Sequence, residues 1–309
     1  MKILVTGAAG FIGSHLVEAL VQHGYDVIAL DALVPELYPQ SQKTQNWNRL
    51  GELGPGIQLL KRDLRDPIER HEIHGCDYVF HLAAMPGLQL SWENTKLYID
   101  CNVLATSNLL EAIDQGSLKK FFYISTSSVY GSEINGDESS LIAPISPYGV
   151  TKLAAENLVS AFSRVNQLNY SIYRLFSVYG PRQRSDMAFN IFIRKMLQQE
   201  EINIFGDGSQ IRTNTFVGDI VDGLICAIEK SRNAEIYNLC GNEQISVIKL
   251  VNLIGSLLKV NPRLTFLEER NGDQKFTKST ARKAMNELGF QPKINLVEGL
   301  ERQIFWQMH

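Results

Sequence analysis

The chain is short of everything that would point to metal, disulfide or membrane chemistry. Its 309 residues include four cysteines, Cys76, Cys101, Cys226 and Cys240, and no two form a C-x-x-C pair. That spacing excludes a metal ribbon and a disulfide framework and fits a reducing compartment. The tract His71-Glu72-Ile73-His74 lacks the H-E-x-x-H order and a nearby third ligand, so no metal is expected there. No apolar run approaches the roughly 18 residues that a membrane span needs. The apolar start ends at Val5, and Gly7, Gly10 and Gly13 follow, so it reads as strand and turn and not as a signal peptide. A cytoplasmic protein is the expectation. An excess of one charge is missing as well. Thirty Lys and Arg against 33 Asp and Glu give a formal −3, with no bulk attraction for nucleic acid or an anionic membrane.

What the chain does have is alternation. Apolar runs at 2–6, 26–30, 57–61, 77–82, 119–125 and 170–176 read as buried strands. Stretches 11–23, 95–115 and 149–165 between them repeat apolar residues at helical spacing. Such a pattern predicts an α/β fold, a parallel sheet covered by helices on both faces. Beyond residue 176 shorter strands (202–206, 211–217, 235–240) mix with helices near 188–199, 219–230 and 246–258. We expect a first domain over 1–176 and a smaller α/β lobe over 177–309, with some segments interleaved. The stretches 33–48 and 132–147 read as loops over the sheet.

Three local patterns carry chemistry. In VTGAAGFIGSH, Gly7 permits a tight turn, Gly10 lets a pyrophosphate approach the backbone, and Gly13 lets the helix pack on the sheet. Free N–H groups at the helix start would then face the phosphates. Asp31, at the end of the next strand, suits ribose hydroxyls and repels a 2′-phosphate, which favours NAD over NADP. Tyr148 and Lys152 lie four apart on a predicted helix and share a face. A phenol titrates near pH ~10, and a base useful near neutrality needs about 3 units less, or roughly 4 kcal/mol. One ammonium about 4 Å away supplies a comparable amount at an effective dielectric of ~20. The plain alternative, a solvated Tyr and Lys, loses weight downstream of a nucleotide motif. Residues 125–128 are all hydroxyl-bearing and include no carboxylate. A hydroxyl there can align a reacting alcohol, while Ser125 reads as a strand-end cap. Arg182 and Arg184, beside Gly180–Pro181, are open to two readings: a solvated surface or a bidentate anion clamp.

The motifs GAAGFIG (7–13), Asp31, RDL (62–64), HLAA (81–84), the hydroxyl strand, YGVTK (148–152) and FSVYGP (176–181) run over nearly the whole chain. With them the sequence resembles the extended short-chain dehydrogenase/reductase family in its nucleotide-sugar epimerase and dehydratase branch. Within that branch it is most similar to the bacterial UDP-glucuronate 4-epimerases. The resemblance implies a Rossmann-type doubly wound sheet with a nucleotide-sugar lobe, bound NAD, a UDP-sugar substrate and a homodimer paired through helices near 95–115 and 149–165. It implies catalytic roles for Thr126, Tyr148 and Lys152. It implies NAD contacts from Gly7, Gly10, Phe11, Ile12, Gly13, Asp31, Asp63, Leu64, Leu82, Ala83, Ala84, Tyr148 and Lys152. On the substrate side it implies Gln89, Thr126, Ser127, Ser128, Ser177, Arg184, Asn190, Phe205, Arg212 and Arg270.

The hydroxyl strand selects among the branch's reactions. Expelling a C6 hydroxyl needs an acid and a base, and 4,6-dehydratases place Asp and Glu directly after the threonine. Here Ser127 and Ser128 stand there, and an alcohol is far too weak for either role near pH 7. Decarboxylating relatives carry Glu in the place of Ser128. Reversible oxidation at C4 needs only Thr126, Tyr148 and the cofactor, so 4-epimerisation is the expected activity, with UDP-glucuronate as substrate. Ser127, Ser128 and Ser177 are then expected to hold the sugar carboxylate. A UDP-glucuronate decarboxylase, a dehydratase and a neutral UDP-sugar epimerase are the alternatives, and a catalytically silent NAD-binding scaffold or sensor is the alternative of another class. The chain departs from its relatives at Gln89, where they carry Arg, and at Thr213-Asn214, Ser185 and Thr280.

Overall fold

The strand Lys2–Thr6 is buried along almost its whole length, and Tyr170–Leu175 along all of it. Runs without polar alternation belong in a sheet covered on both faces. The computed structural model describes residues 1–114, 116–269 and 276–309, and only the backbone at 133–136. Seven strands form its large sheet, in the spatial order Glu235–Leu239, Tyr170–Leu175, Lys120–Thr126, Tyr78–His81, Lys2–Thr6, Asp26–Asp31, Ile57–Lys61. All six pairings are parallel. From Lys2–Thr6 the chain first builds outward on one side and then returns to build on the other, so a crevice opens between the carboxyl ends of Lys2–Thr6 and Tyr78–His81. This is the parallel sheet that the alternation predicts, in the doubly wound, Rossmann-type order that the resemblance implies.

Three readings need correction. Residues 235–240, expected in the smaller lobe, instead add the seventh strand to the large sheet, in register with Tyr170–Leu175 (Ile236 beside Ile172). Tyr237, Asn238 and Leu239 are buried on both faces there, as a parallel strand requires. The stretch 33–48 is not all loop, because a helix runs over Gln40–Gly51. Lys43, Asn46 and Leu50 form its buried face, a helical spacing hidden by two polar members. Within 132–147 the backbone of Glu133–Gly136 pairs with Phe276–Ser279.

The helix expected over 95–115 runs from Thr95 to Ala112 with one wider, π-type turn at Asp100–Leu104. That turn carries Asn102, whose amide accepts from the Met85 N–H (2.7 Å) and donates to the Met85 carbonyl and the Thr151 hydroxyl. It thereby ties the segment after HLAA to the helix Pro147–Asn166. A second, mixed sheet centres on Ile211–Phe216, flanked by Ser177–Tyr179, Glu243–Ser246 and Phe276–Ser279. One apolar core runs through both sheets, from Val5, Leu16 and Phe122 to Phe216, Leu224 and Leu250.

Candidate active site

The helix Phe11–Gln22 begins at Gly10 with no capping side chain and no acid in its first turn, which leaves its terminal N–H groups and positive dipole end for an anion. Glycine is required at two points, in the turn before the helix and in its first turn. Gly7 adopts φ +69°, and a Cβ on Gly13 would come within 2.1 Å of the Gly7 carbonyl oxygen. Beneath the crevice His81 fixes the strand ends. Thr106 donates its hydroxyl proton to the Asn102 carbonyl (2.7 Å), so His81 Nε2–H donates to Thr106 (3.0 Å). Nδ1 then accepts from Thr6 Oγ1 (2.7 Å), which itself accepts from the Ala83 N–H (3.1 Å). Burial, helped by the charge of Lys152, pushes His81 down to about 3, so it is a neutral strut.

A cavity of about 440 Å³ opens over this cradle. Gly7, Gly10, Phe11, Ile12, Gly13, Asp31, Asp63, Leu64, Leu82, Ala83 and Ala84 line one end, and Thr126, Ser127, Ser128, Tyr148, Lys152, Ser177, Arg184 and Arg212 line the other. Asp31 accepts from the Ala9 and Leu33 N–H groups at 3.0 and 2.8 Å. Burial raises its pKa, while those bonds and Lys43 pull it back. The glycine cradle, the open helix start and the acid at the second strand end fit a dinucleotide.

At the other end, Ser146 caps the helix Pro147–Asn166 by accepting from the Gly149 N–H (3.1 Å). A Cβ on Gly149 would stand 2.5 Å from the Ser128 carbonyl oxygen. The helix start thus rests directly on the hydroxyl strand's exit and brings Tyr148 over Thr126. Thr126 Oγ1 donates to Ser128 Oγ and accepts from the Ser128 N–H, both at 3.2 Å. Burial raises the Tyr148 phenol above its ordinary value, against downward pulls from Thr126 and Arg184. The Lys152 ammonium donates to the Ile124 carbonyl (2.7 Å) and stands 4.2 Å over the Tyr123 ring. Burial pushes it down to about 7, with Glu156 acting upward.

Not every expected residue reaches the cavity. Gln89 starts a short helix over Gln89–Glu93 just past the lining, and its Nε2 is buried without a hydrogen-bond partner among the described residues. Asn190 turns inward and donates to the Gln183 carbonyl (2.8 Å). Phe205 ends a strand paired with Leu264–Leu267. Arg270 lies outside the described residues. Of the two arginines left open, Arg182 is held by Glu18 (2.6 Å) and His15. Arg184 lines the cavity, paired with Asp186 (2.9 Å). Sequence reasoning missed Lys43, which lines the cavity on the Asp31 side and donates to the Val34 carbonyl (2.6 Å). Its signal lay in the helical spacing of 43, 46 and 50.

Residues 3–240 match the family model described as NAD dependent epimerase/dehydratase family. An uncharacterized UDP-glucose epimerase of Bacillus subtilis is 40% identical over 98% of this chain and 97% of its own. A UDP-glucuronate 4-epimerase of Thermodesulfobacterium geofontis is 34% identical over 98% of this chain and 95% of its own. The crystal structure of UDP-glucuronic acid 4-epimerase from Bacillus cereus, in complex with UDP-glucuronic acid and NAD, superposes with a TM-score of 0.94. It is 38% identical, over 100% of both chains. With its glycine cradle, its doubly wound sheet and these matches along nearly its full length, the chain belongs to the NAD dependent epimerase/dehydratase family.

Proposed function

We propose that the protein interconverts UDP-glucuronate and UDP-galacturonate by NAD-dependent epimerisation at C4. The observation that carries this reading is a single cavity shared by a dinucleotide cradle and by Thr126, Tyr148 and Lys152, with alcohols where elimination would need an acid and a base. Tyr148, as phenolate, takes the proton of the sugar 4-hydroxyl, and Thr126 aligns that hydroxyl. Bound NAD would supply the hydride acceptor and donor at C4, and Tyr148 gives its proton back to the 4-oxygen when C4 is reduced on its other face. Between the two transfers the 4-keto sugar turns about its diphosphate linkage while Arg212 and Arg184 hold the anionic groups.

The 4-keto intermediate of a uronate is a β-keto acid and prone to lose CO₂. Ser127, Ser128 and Ser177 hold its carboxylate in an orientation unfavourable to that loss. A Ser128→Glu variant is expected to release a UDP-pentose alongside the epimer, and an unchanged product mixture counts against this role. We further propose that residues 1–176 with the strand Glu235–Leu239 form the NAD-binding unit and that most of the remainder holds the UDP-sugar. The outward Ile99, Leu104 and Val150, 47%, 44% and 51% exposed, would pair two copies in a cytoplasmic homodimer. The described residues contain no helix long and apolar enough to cross a membrane.

Incubation with UDP-glucuronate and with UDP-glucose, read by NMR of the sugar ring, tests the assignment. Inversion at C4 of the uronate supports it. Inversion of UDP-glucose alone moves the activity to a neutral sugar, CO₂ release or a keto-deoxy sugar to another reaction, and no turnover to a silent NAD-binding protein.

A further inference from the structure

Behind the proposed catalytic pair lies a buried ion pair that the chemistry above does not use. Glu156 follows Lys152 by one helical turn, so their side chains share a face. Arg174, on the strand Tyr170–Leu175, donates to both Glu156 oxygens, Nε at 3.0 Å and Nη2 at 2.6 Å. The Ser125 hydroxyl, read from sequence as a strand-end cap, also donates to Glu156. The two ionic side chains are 1% and 4% exposed. Arg174 is backed by the Tyr130 ring at 4.8 Å, and the Tyr130 hydroxyl is tied to Asn238 (2.8 Å).

Stability alone is a poor reason for such an arrangement. Burying an ion pair costs desolvation that a hydrophobic replacement avoids, so a buried pair often contributes nothing net to folding. Its field is another matter: although Arg174 offsets part of its charge, the Glu156 carboxylate still acts on the Lys152 ammonium as an opposite charge. We propose that Glu156, clamped by Arg174 and Ser125, is a positioning residue that favours the cationic form of Lys152 against the strand carrying Thr126. The inference rests on the catalytic reading given above.

The other groups near Lys152 do not do this work, and Arg174, from Tyr170–Leu175, is itself a cation and weakens the pull of Glu156. From Tyr78–His81 comes His81, neutral because burial holds it near 3. From Lys120–Thr126 come the Tyr123 ring and the Ile124 carbonyl, and burial drives the Tyr123 phenol well up, so it carries no charge. Tyr148 precedes Lys152 on its own helix and is kept neutral by burial before substrate arrives. Glu156 is the charge that opposes the downward push of burial on Lys152 among the described residues. Without it, Lys152 loses its proton at a lower pH, and the support for the Tyr148 phenolate goes with it. The sign follows: the limb that moves is the alkaline one, and it moves toward acid.

The test is the ε-carbon NMR titration of Lys152 in the NAD-loaded protein, assigned by its disappearance in Lys152→Arg, together with the pH profile of kcat. In Glu156→Gln the Lys152 midpoint should fall by at least about one unit, the scale on which one opposite charge at close range acts. The alkaline limb of kcat should fall with it. Glu156→Asp, which keeps the charge and retracts it by one methylene, should give a smaller fall and serves if Glu156→Gln does not fold. A Lys152 midpoint unchanged in a variant that still binds NAD, with activity lowered equally at every pH, overturns the proposal. The titration needs no substrate, so a shifted midpoint in a protein that turns over no UDP-sugar sustains the role of Glu156 while sinking the catalytic assignment.

Discussion

The two ends of the cavity are built by different means. At the end proposed to hold the adenosine of NAD the lining includes a few contiguous segments: the Gly7–Gly13 turn, with its free helix-start N–H groups, the Asp31 strand end and the 82–84 segment. At the end proposed to hold the sugar the lining is brought together from 126–128, 148, 152, 177, 184 and 212 on separate elements. A backbone cradle tolerates almost any change of side chain that leaves its glycines alone. A side-chain site fails with single substitutions and with shifts of the elements that carry it. If this contrast holds, damage at one end should leave the other end working.

The largest effect expected is from Tyr148→Phe. Removing a positioned acid–base group costs about 10²–10⁴-fold in rate, and kcat for UDP-glucuronate should fall toward the upper end of that range. NAD should remain bound, measured by its absorbance after acid release. A variant that retains near-normal turnover would show that the proton is taken elsewhere.

Next comes Gly149→Ala, which adds a methyl group where the Ser128 carbonyl oxygen stands 2.5 Å away. The helix Pro147–Asn166 must lift, and Tyr148 moves with it. A displacement of about 1 Å costs on the order of 10²-fold. Kcat should drop by that amount, while NAD, held mainly by the cradle segments, should be lost far less. Loss of NAD in step with kcat would break the contrast, since it would make the helix position a property of both ends.

The same contrast explains what could be read from sequence. Gly7, Gly10, Gly13 and Asp31 declare themselves because a contiguous motif before a helix fixes its own geometry. Tyr148 and Lys152 do so because helical spacing puts them on one face. Lys43 stayed hidden because its helix buries a lysine and an asparagine, so apolar periodicity gave no sign of it. Glu156 was one turn from Lys152, yet its meaning depends on Arg174, which reaches it only after the next strand has paired with Lys120–Thr126. Gln89, Asn190 and Phe205 illustrate the opposite limit. A motif match fixes a position along the chain, but which way a side chain points depends on packing. Asn190 faces Gln183 because residues 180–183 fold back onto the helix Ala188–Leu197.

The smallest effect expected is from Lys43→Met, and it tests the adenosine end by itself. Lys43 pins the 33–38 wall through the Val34 carbonyl and packs 4.8 Å over the Tyr38 ring. Burial lowers its pKa while Asp31 raises it, so the charge is held against desolvation by the carboxylate it faces. Its loss removes one charge-assisted hydrogen bond, about 1.5 kcal/mol, or roughly a tenfold rise in the NAD dissociation constant. The backbone N–H groups of the cradle remain, which is why the loss stays small. At saturating NAD, kcat should be that of the unaltered protein. The wall does not end at Lys43, however, because Tyr38 also lies 5.9 Å from the Arg184 guanidinium. A fall in kcat that excess NAD does not restore would therefore mean that slackening the adenosine wall reaches Arg184 through Tyr38, and that the two ends share a hinge.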